Sequence, residues 1–417
     1  MHYLTRFSET SSERVLAIVD MHWSVIRDWI HLIASACYPF PEVMKALAEP
    51  MCVFPVEGLP GERYFPGTVV MDAIENRAEE LLREIFSLGE EFRATIQPHS
   101  GTQANQIVFN AALRPDDVVL SLRPSDGGHI SHKVLIGRRN RVVFYPLGDD
   151  ALIDYGALEE LALRERPKLI IAGGSACPRE INFSTIGLVA HRTGALFHAD
   201  VSHTATFIAA GVHASVFQHA DFVTFNMVKN MRGPNGGVLI YRREQHERVN
   251  RALFPDTQGG PNENTMFAKL VALECLLKID LRAYAQRMVV VARLMGDTLR
   301  ERGMQLVTGG TDSHQVLVDL REQTITGAEA EKTCERYRVL LNRNLVTRDT
   351  QKPWITSGVR LGTSCITILD YSDDDVNRLA HWIADRFTNT GSANPLALID
   401  ELTNRYNTKL LPPAYRH

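Results

Sequence analysis

The hydrophobic positions of this 417-residue chain change from helical spacing to strand-like runs and back again. In the first 50 residues, helical spacing separates Trp23, Ile26, Trp29, Ile30 and Ile33, which predicts helices joined by short turns. From about residue 66, amphipathic patterns (72–87, 102–113, 155–164 and 184–193) are interspersed with short apolar runs (118–122, 142–147, 169–172, 196–200, 222–225 and 238–241). This alternation predicts an α/β fold with a mostly parallel sheet that is covered on both faces.

A second pattern follows a Gly/Pro-rich stretch at residues 259–261. Long helical patterns occupy residues 265–277 and 281–302, then a strand is predicted at 315–320, a helix at 328–341 and a terminal helix at 374–387. We therefore predict an N-terminal helical arm (1–65), a large domain (66–260) and a smaller C-terminal α+β domain (261–417).

Composition and charge exclude several classes of protein. The 45 Lys and Arg residues against 49 Asp and Glu give a net charge of -4, without the basic excess of a nucleic-acid-binding protein. The longest apolar runs, such as 288–292, are too short to cross a bilayer, and the first residues do not resemble a secretory signal. The six cysteines form no CxxC pair, so we expect reduced thiols, no metal site and a cytoplasmic protein without nucleic-acid or membrane partners.

Three segments carry candidate chemistry. Ser100-Gly101-Thr102 opens an apolar helix, and such an N-terminus can bind a phosphate, although a simple helix cap explains the same residues. Asp200 ends an apolar strand, where it can face a protonated ring nitrogen or cap the next helix. Lys229 follows another buried strand and precedes a glycine-rich turn, where it can form a Schiff base or remain a solvated lysine.

Together these segments resemble the serine hydroxymethyltransferase family, which depends on pyridoxal phosphate (PLP). The resemblance covers about residues 32–387 and includes the segments 57–64, 100–105, 127–129, 200–203, 229–237, 258–261 and 356–363. It implies PLP-dependent fold type I, the aspartate-aminotransferase-like fold, with PLP bound in the large domain and a substrate loop in the N-terminal arm.

The resemblance also implies a role for each matching residue. Lys229 would form the Schiff base, Asp200 would pair with the ring nitrogen and His129 would stack on the ring. Further cofactor contacts would come from Ser100, Gly101, Thr102, Ser175, His203 and, across a homodimer interface, Gly259 and Gly260. The substrate would be bound by Arg360 and Ser35 at its carboxylate, by Glu57 at its β-hydroxyl group, and by Tyr64.

The chain departs from the family's usual pattern at the substrate end of the site. Ala36-Cys37 replace Glu-Asn, Pro55 and Phe65 replace tyrosines, and Pro66 replaces a glycine. Pro124 replaces a leucine, Ser125-Asp126 replace Ala-His, Asn226 replaces a threonine and Val228 replaces a histidine, whereas the folate-associated Asn344 is kept. From these changes we expect that tetrahydrofolate is not required, or is used poorly.

The expected activity is the making or breaking of the Cα–Cβ bond of a β-hydroxy amino acid through a glycine quinonoid, as in a threonine aldolase or transaldolase. The co-substrate would be an aldehyde or a one-carbon carrier. One alternative is an ordinary tetrahydrofolate-dependent serine hydroxymethyltransferase. Others are a PLP aminotransferase, racemase or decarboxylase on the same fold, or a PLP-retaining protein that is non-catalytic or binds RNA, for which residues 138–141 offer the only basic run.

Overall fold

The structure is a computed structural model that describes residues 13–53, 55–388, 390 and 394–410. Its helices span Glu13–Asp28, Pro41–Leu47, Val69–Phe86, Gly101–Ala112, Ser131–Val134, Tyr155–Glu165, Phe183–Thr193, Ala205–Ala209, His246–Leu253, Glu263–Leu276, Leu281–Glu301, Gly327–Arg336, Ser364–Ile368, Asp373–Phe387 and Leu396–Tyr406. None of the helices in these ranges combines the length and apolar content needed to cross a membrane.

A seven-stranded sheet forms the centre of the larger part of the molecule. Its strands lie in the order Phe92–Thr95, Gly237–Arg242, Phe222–Asn226, Leu196–Asp200, Leu169–Ala172, Val118–Leu122 and Arg141–Tyr145. Only Gly237–Arg242 runs antiparallel to its neighbours. The predicted mostly parallel sheet is therefore present, and the carboxyl ends of most of its strands open on one edge, where ligands bind in such folds.

A four-stranded antiparallel sheet forms the centre of the smaller part. Its strands are ordered Gln305–Leu306, Gln315–Asp319, Gly358–Gly362 and Asn342–Asn344. Two-residue strands pair Gly58–Leu59 with Glu62–Arg63, and Ile30–His31 with Val339–Leu340.

Separate apolar cores stabilise the two parts. The core of the large sheet includes Met266 and Leu273, from the helix that follows residue 260. The core of the small sheet includes Ile30 and Leu32, which lie far upstream in the chain. The division of the chain at residues 65 and 260 stays a prediction.

Two predicted helices are wrong in part. The prediction of helices throughout residues 1–50 fails at Ile30, which pairs with Val339 in a strand, and its first 12 residues lie outside the described ranges. The predicted helix 328–341 ends at Arg336, because Arg338 adopts a left-handed φ of 64° that stops the helix before the chain enters a strand. The pattern also missed the strands Phe92–Thr95 and Gly358–Gly362 and the helix Leu396–Tyr406.

Candidate active site

Lys229 and Asp200 lie in one cleft at the carboxyl edge of the large sheet. Asp200 ends its strand opposite Thr224 of the neighbouring parallel strand, and Lys229 follows that strand by three residues. Burial lowers the pKa of the Lys229 amine to about 8, although the charge of Asp200 opposes the shift and Arg360 adds to it. At neutral pH about a tenth of the amine is therefore uncharged and nucleophilic, far more than for a lysine with its usual pKa.

Asp200 is buried but remains ionised. Burial by itself would raise its pKa, but the hydrogen bond and charge of His132, with the nearby His129 and Lys229, hold the pKa well below its usual value. Its Oδ2 accepts from Asn105 Nδ2 at 2.8 Å and lies 3.2 Å from His132 Nε2. Such a fixed carboxylate suits a protonated ring nitrogen.

His129 lies beside His132, with the centroids of their rings 5.7 Å apart. Its Nδ1 is 2.6 Å from Ser131 Oγ, and burial lowers its pKa. Together His129, His132 and Asp200 bring three possible metal-ligand atoms within 4.8 Å of one another. The hydrogen bond between His132 and Asp200 already accounts for the closeness of two of these atoms.

The segment Ser100-Gly101-Thr102 forms the helix cap that its sequence allows, and it leaves room for the predicted phosphate contact. Ser100 is the N-cap of the helix Gly101–Ala112, and its Oγ accepts from Gln103 N at 3.1 Å. The first backbone N–H groups of this helix have no intrahelical partner, so they can bind an anion. A Cβ on Gly101 would lie 3.1 Å from Cβ of Asn226, which explains why a glycine stands there.

A buried polar cluster lies behind Lys229. His203 Nδ1 is 3.4 Å from His314 Nε2, and the two rings stack with their centroids 5.4 Å apart. Asn230, the residue after Lys229, donates to His314 Nδ1 at 3.0 Å and accepts from Ser364 Oγ at 2.5 Å. This cluster connects the turn that contains Lys229 with the start of the strand Gln315–Asp319 and with the helix Ser364–Ile368.

Arg360 brings a cation from the smaller sheet into the cleft. Its Nη1 donates to the carbonyl oxygen of Ser175, and its Nε donates to Asn342 Oδ1 at 3.2 Å. Burial lowers its pKa to about 10, so the guanidinium remains charged near neutral pH. No carboxylate of the described residues forms an ion pair with it, which suits a substrate carboxylate.

The loop that contains Ser35 lies directly on the strand that carries Arg360. The Gly362 N–H donates to the Leu32 carbonyl at 2.7 Å. A Cβ on Gly362 would lie 2.2 Å from Ala34 Cα, so the approach requires glycine at this position.

Four of the predicted residues, Glu57, Tyr64, Gly259 and Gly260, form a separate group. A Cβ on Gly259 would lie 3.5 Å from Glu57 Oε1, and one on Gly260 would lie 3.8 Å from Glu57 Cγ. Tyr64 contacts Phe254, with ring centroids 5.0 Å apart, and is 68% exposed. Within the described part of one chain, these residues form no hydrogen bond with Lys229, Asp200 or Arg360.

Sequence reasoning missed several side chains of the site. The spacing of His132 three residues after His129 could have indicated it, and Asn105 belongs to a matched motif. No local signal identified Thr224, His198 or His314, because they reach the site only through contacts between distant strands.

The polar groups of the cleft fit the functional groups of PLP. The helix N-terminus fits its phosphate, the ionised Asp200 fits a protonated ring nitrogen, and the Lys229 amine fits its aldehyde. The half-buried Arg360, which forms no ion pair with a carboxylate of the described residues, fits the carboxylate of an amino acid.

Comparison with known proteins agrees with this chemistry. Residues 9–383 match the family model for serine hydroxymethyltransferase. A protein of Ralstonia pickettii named serine hydroxymethyltransferase is 41% identical over 386 residues, covering 91% of this chain and 92% of the relative. A relative from Ralstonia nicotianae with the same enzyme name is 41% identical over 94% of this chain and 95% of its own length. Another, from a Polaromonas species, is 36% identical over the full length of both chains.

Proposed function

The chain belongs to the serine hydroxymethyltransferase family, and we propose that it interconverts serine and glycine with a folate one-carbon carrier as co-substrate. Membership in the family confirms the predictions of fold type I and of a PLP-dependent transferase. The observation that carries the proposal is the buried Lys229 amine, which lies in the fields of both Asp200 and Arg360.

The residues of the cleft would each contact a different part of the cofactor. Lys229 would bind the cofactor's aldehyde carbon covalently and reversibly, Asp200 would keep a proton on the ring nitrogen, and His129 and His203 would contact the ring and its surroundings. Ser100, Gly101 and Thr102 would bind the phosphate, with Ser175 nearby. Bound PLP supplies an electron sink for the bond that breaks at the substrate's α-carbon.

The chain's own residues would orient the amino acid. Arg360 would fix the carboxylate through its planar fork, with Ser35 as a second contact, and so present one bond of the α-carbon for cleavage. Glu57 would hold the proton of the β-hydroxyl group, which must leave that oxygen when the Cα–Cβ bond breaks.

A homodimer would complete the site. Glu57, Tyr64, Gly259 and Gly260 form one group on the chain, whereas Lys229, Asp200 and Arg360 form another. A few residues after Tyr64, Val69 is 73% exposed and Val70 55% exposed at the start of a helix, so two adjacent apolar side chains face solvent in the single chain. We propose that a second copy covers these valines and that each copy's Glu57 group serves its partner's cleft.

The expectation that folate is dispensable finds no support among the relatives, whose names are those of ordinary hydroxymethyltransferases. A folate-independent aldolase remains a second candidate because of the substitutions at Ala36, Cys37 and Pro124. Cys37 lies two residues after Ser35, the predicted carboxylate contact, and its Sγ is 3.9 Å from the Tyr284 hydroxyl.

One set of assays separates the two candidates. Serine-to-glycine turnover and threonine cleavage are each measured on the PLP-loaded enzyme, with and without tetrahydrofolate. We expect serine turnover to depend on tetrahydrofolate. Threonine cleavage that exceeds serine turnover and ignores tetrahydrofolate would instead establish the aldolase.

A further inference from the structure

A chain of buried hydrogen bonds leads from His198 to Asp200 across two strands and a helix. His198 Nε2 lies 2.7 Å from Thr224 Oγ1, and Thr224 Oγ1 lies 2.6 Å from Asn105 Oδ1. Asn105 Nδ2 then lies 2.8 Å from Asp200 Oδ2. His198 and Thr224 have no exposed surface, and Asn105 is 1% exposed, so no solvent competes with these bonds.

The chemistry of the end group fixes the direction of every bond. Asp200 is ionised and can only accept, so the Asn105 amide must present its NH2 group to the carboxylate and its oxygen to Thr224. An amide oxygen also only accepts, so the single hydroxyl proton of Thr224 points at Asn105. Thr224 can therefore only accept from His198, whose Nε2 must carry the proton.

The state of His198 agrees with this direction. Burial lowers its pKa to about 3, with Asp200 opposing and His132 assisting the shift, so the ring is neutral and carries one N–H. Its Nδ1 is buried and has no hydrogen-bond partner among the described residues, as expected for the nitrogen without the proton. The ring is packed edge-on against Phe109, with centroids 5.9 Å apart.

We propose that His198 is a positioning residue for Asp200, acting at the far end of a one-way relay through Thr224 and Asn105. Three successive donors that all point toward the carboxylate polarise one another and strengthen the last bond. The relay also holds the Asn105 amide in the one orientation that stabilises the negative charge. This inference rests on the proposed function only in assigning the ring nitrogen of PLP to Asp200.

The first test uses the wild-type apoenzyme and needs neither cofactor nor substitution. Protein labelled with ¹⁵N-histidine reports by NMR which ring nitrogen of each histidine carries the proton, and His198→Phe identifies the signal of His198. We expect a neutral ring with the proton on Nε2. A proton on Nδ1, or a charged ring at neutral pH, would reverse the relay and overturn the proposal.

The second test measures the effect on the cofactor. PLP labelled with ¹⁵N in its ring is bound to wild-type enzyme, His198→Phe, Thr224→Val and the double variant, and Kd is measured by titration. We expect His198→Phe to weaken PLP binding about twofold to tenfold, the range of one neutral hydrogen bond, and to move the ring ¹⁵N signal toward the unprotonated value. We expect kcat to fall by a similar factor while KM for the amino acid stays constant.

Matched variants separate the relay from packing. Thr224→Ser retains the hydroxyl and should restore the wild-type ¹⁵N signal, and Phe109→Leu disturbs the packing of His198 without removing a hydrogen bond. His198→Phe and Thr224→Val interrupt the same relay, so the variant that carries both should resemble Thr224→Val alone. Additive effects of His198→Phe and Thr224→Val, or an unchanged ring signal in His198→Phe, would contradict the proposal.

Failure of the proposed function would look different. A wild-type protein that binds no PLP would refute the function while the apoenzyme spectrum still decided the direction of the relay. A protein that binds PLP normally, with a ring signal insensitive to His198, would refute the relay alone.

Discussion

His314 Nε2 donates to the carbonyl oxygen of Ala34 at 3.0 Å, joining the residue that precedes the strand Gln315–Asp319 to the loop that carries Ser35. Its other ring nitrogen accepts from Asn230 Nδ2 at 3.0 Å. The ring is therefore required in its neutral form, because a proton on Nδ1 would face another donor. Burial also lowers the pKa of His314 to about 3.

Because His314 must be neutral in the folded protein, we expect the protein to lose stability in acid. The pKa of His198, His203 and His314 is lowered by burial in the folded protein, whereas in the unfolded chain each histidine takes up a proton below about pH 6.5. Stability is therefore complete above that pH and falls below it, by about 1.4 kcal/mol per pH unit for each such histidine. Urea unfolding of the apoenzyme at several pH values measures the slope.

The contribution of a single histidine can be isolated. His314→Gln should reduce the slope of unfolding free energy against pH by about 1.4 kcal/mol per unit below pH 6, whereas the exposed His191→Gln should leave it unchanged. Equal slopes in wild-type and His314→Gln protein would mean that His314 is charged in the folded state.

Asp200→Asn should reduce kcat about a hundredfold or more while weakening PLP binding less, because the neutral amide no longer keeps a proton on the ring nitrogen. Steady-state turnover and PLP titration measure the two effects. Asp221→Asn is the control: Asp221 lies near the other end of the neighbouring strand, and its Oδ2 accepts from Phe197 N at 2.7 Å. Full activity of Asp200→Asn would remove this carboxylate from the mechanism.

Borohydride reduction of the PLP-loaded enzyme should attach the cofactor to Lys229 and not to Lys269. Burial lowers the pKa of Lys269 to about 7, but its Nζ donates to the carbonyls of Ile96, Pro98 and Gly237 at 2.6, 2.8 and 2.9 Å. An amine used in this way is not available as a nucleophile. Peptide mapping identifies the labelled residue, and a label on Lys269 would disprove the assignment.

The lowered pKa of Lys229 also sets a pH dependence for cofactor uptake. Only the uncharged amine attacks the aldehyde, so the rate at which the apoenzyme binds PLP should rise about tenfold per pH unit below its pKa of about 8 and level off above it. Stopped-flow absorbance measures this rate. A rate that keeps rising up to pH 10 would show an ordinary, solvated lysine.

Arg360→Lys should raise KM for serine and glycine about tenfold to a hundredfold, because an ammonium cannot reproduce two charge-assisted hydrogen bonds to a carboxylate. PLP affinity should change little. Arg343→Lys serves as the control, since Arg343 lies on the adjacent strand and pairs with Glu331 at 3.7 Å. An unchanged KM in Arg360→Lys would place the carboxylate elsewhere.

Mixed dimers test whether the site is shared. Lys229→Gln and Glu57→Gln should each be inactive, but after subunit exchange a hybrid dimer contains one intact site, and about a quarter of wild-type activity should return. Lys229→Gln mixed with Asp200→Asn is the control, because both changes lie in one cleft and no intact site forms. No recovery in the first mixture would place Glu57 and Lys229 of the same chain in one site.

The local sequence determined the elements that depend on neighbouring residues. The apolar runs 196–200 and 222–225 predict strands because consecutive buried residues form a continuous pattern. The segment at Ser100 allows either a helix cap or a phosphate site, and the cap is present because it involves residues only three apart. The motifs after these strands then indicated the edge of the sheet where Asp200 and Lys229 meet.

Only the tertiary structure decided what depends on distant residues. Ile30 is in a strand because Val339 lies beside it, and the spacing of the apolar residues around Ile30 does not indicate such a distant partner. Likewise His198 gains its place in the site from Thr224 and Asn105, and His314 gains its place from Ala34. The sequence by itself therefore determined the family, the strands and the residues of the local motifs, whereas the buried hydrogen bonds that orient those residues were decided by folding, because their partners are far apart in the chain and meet only in the packed core.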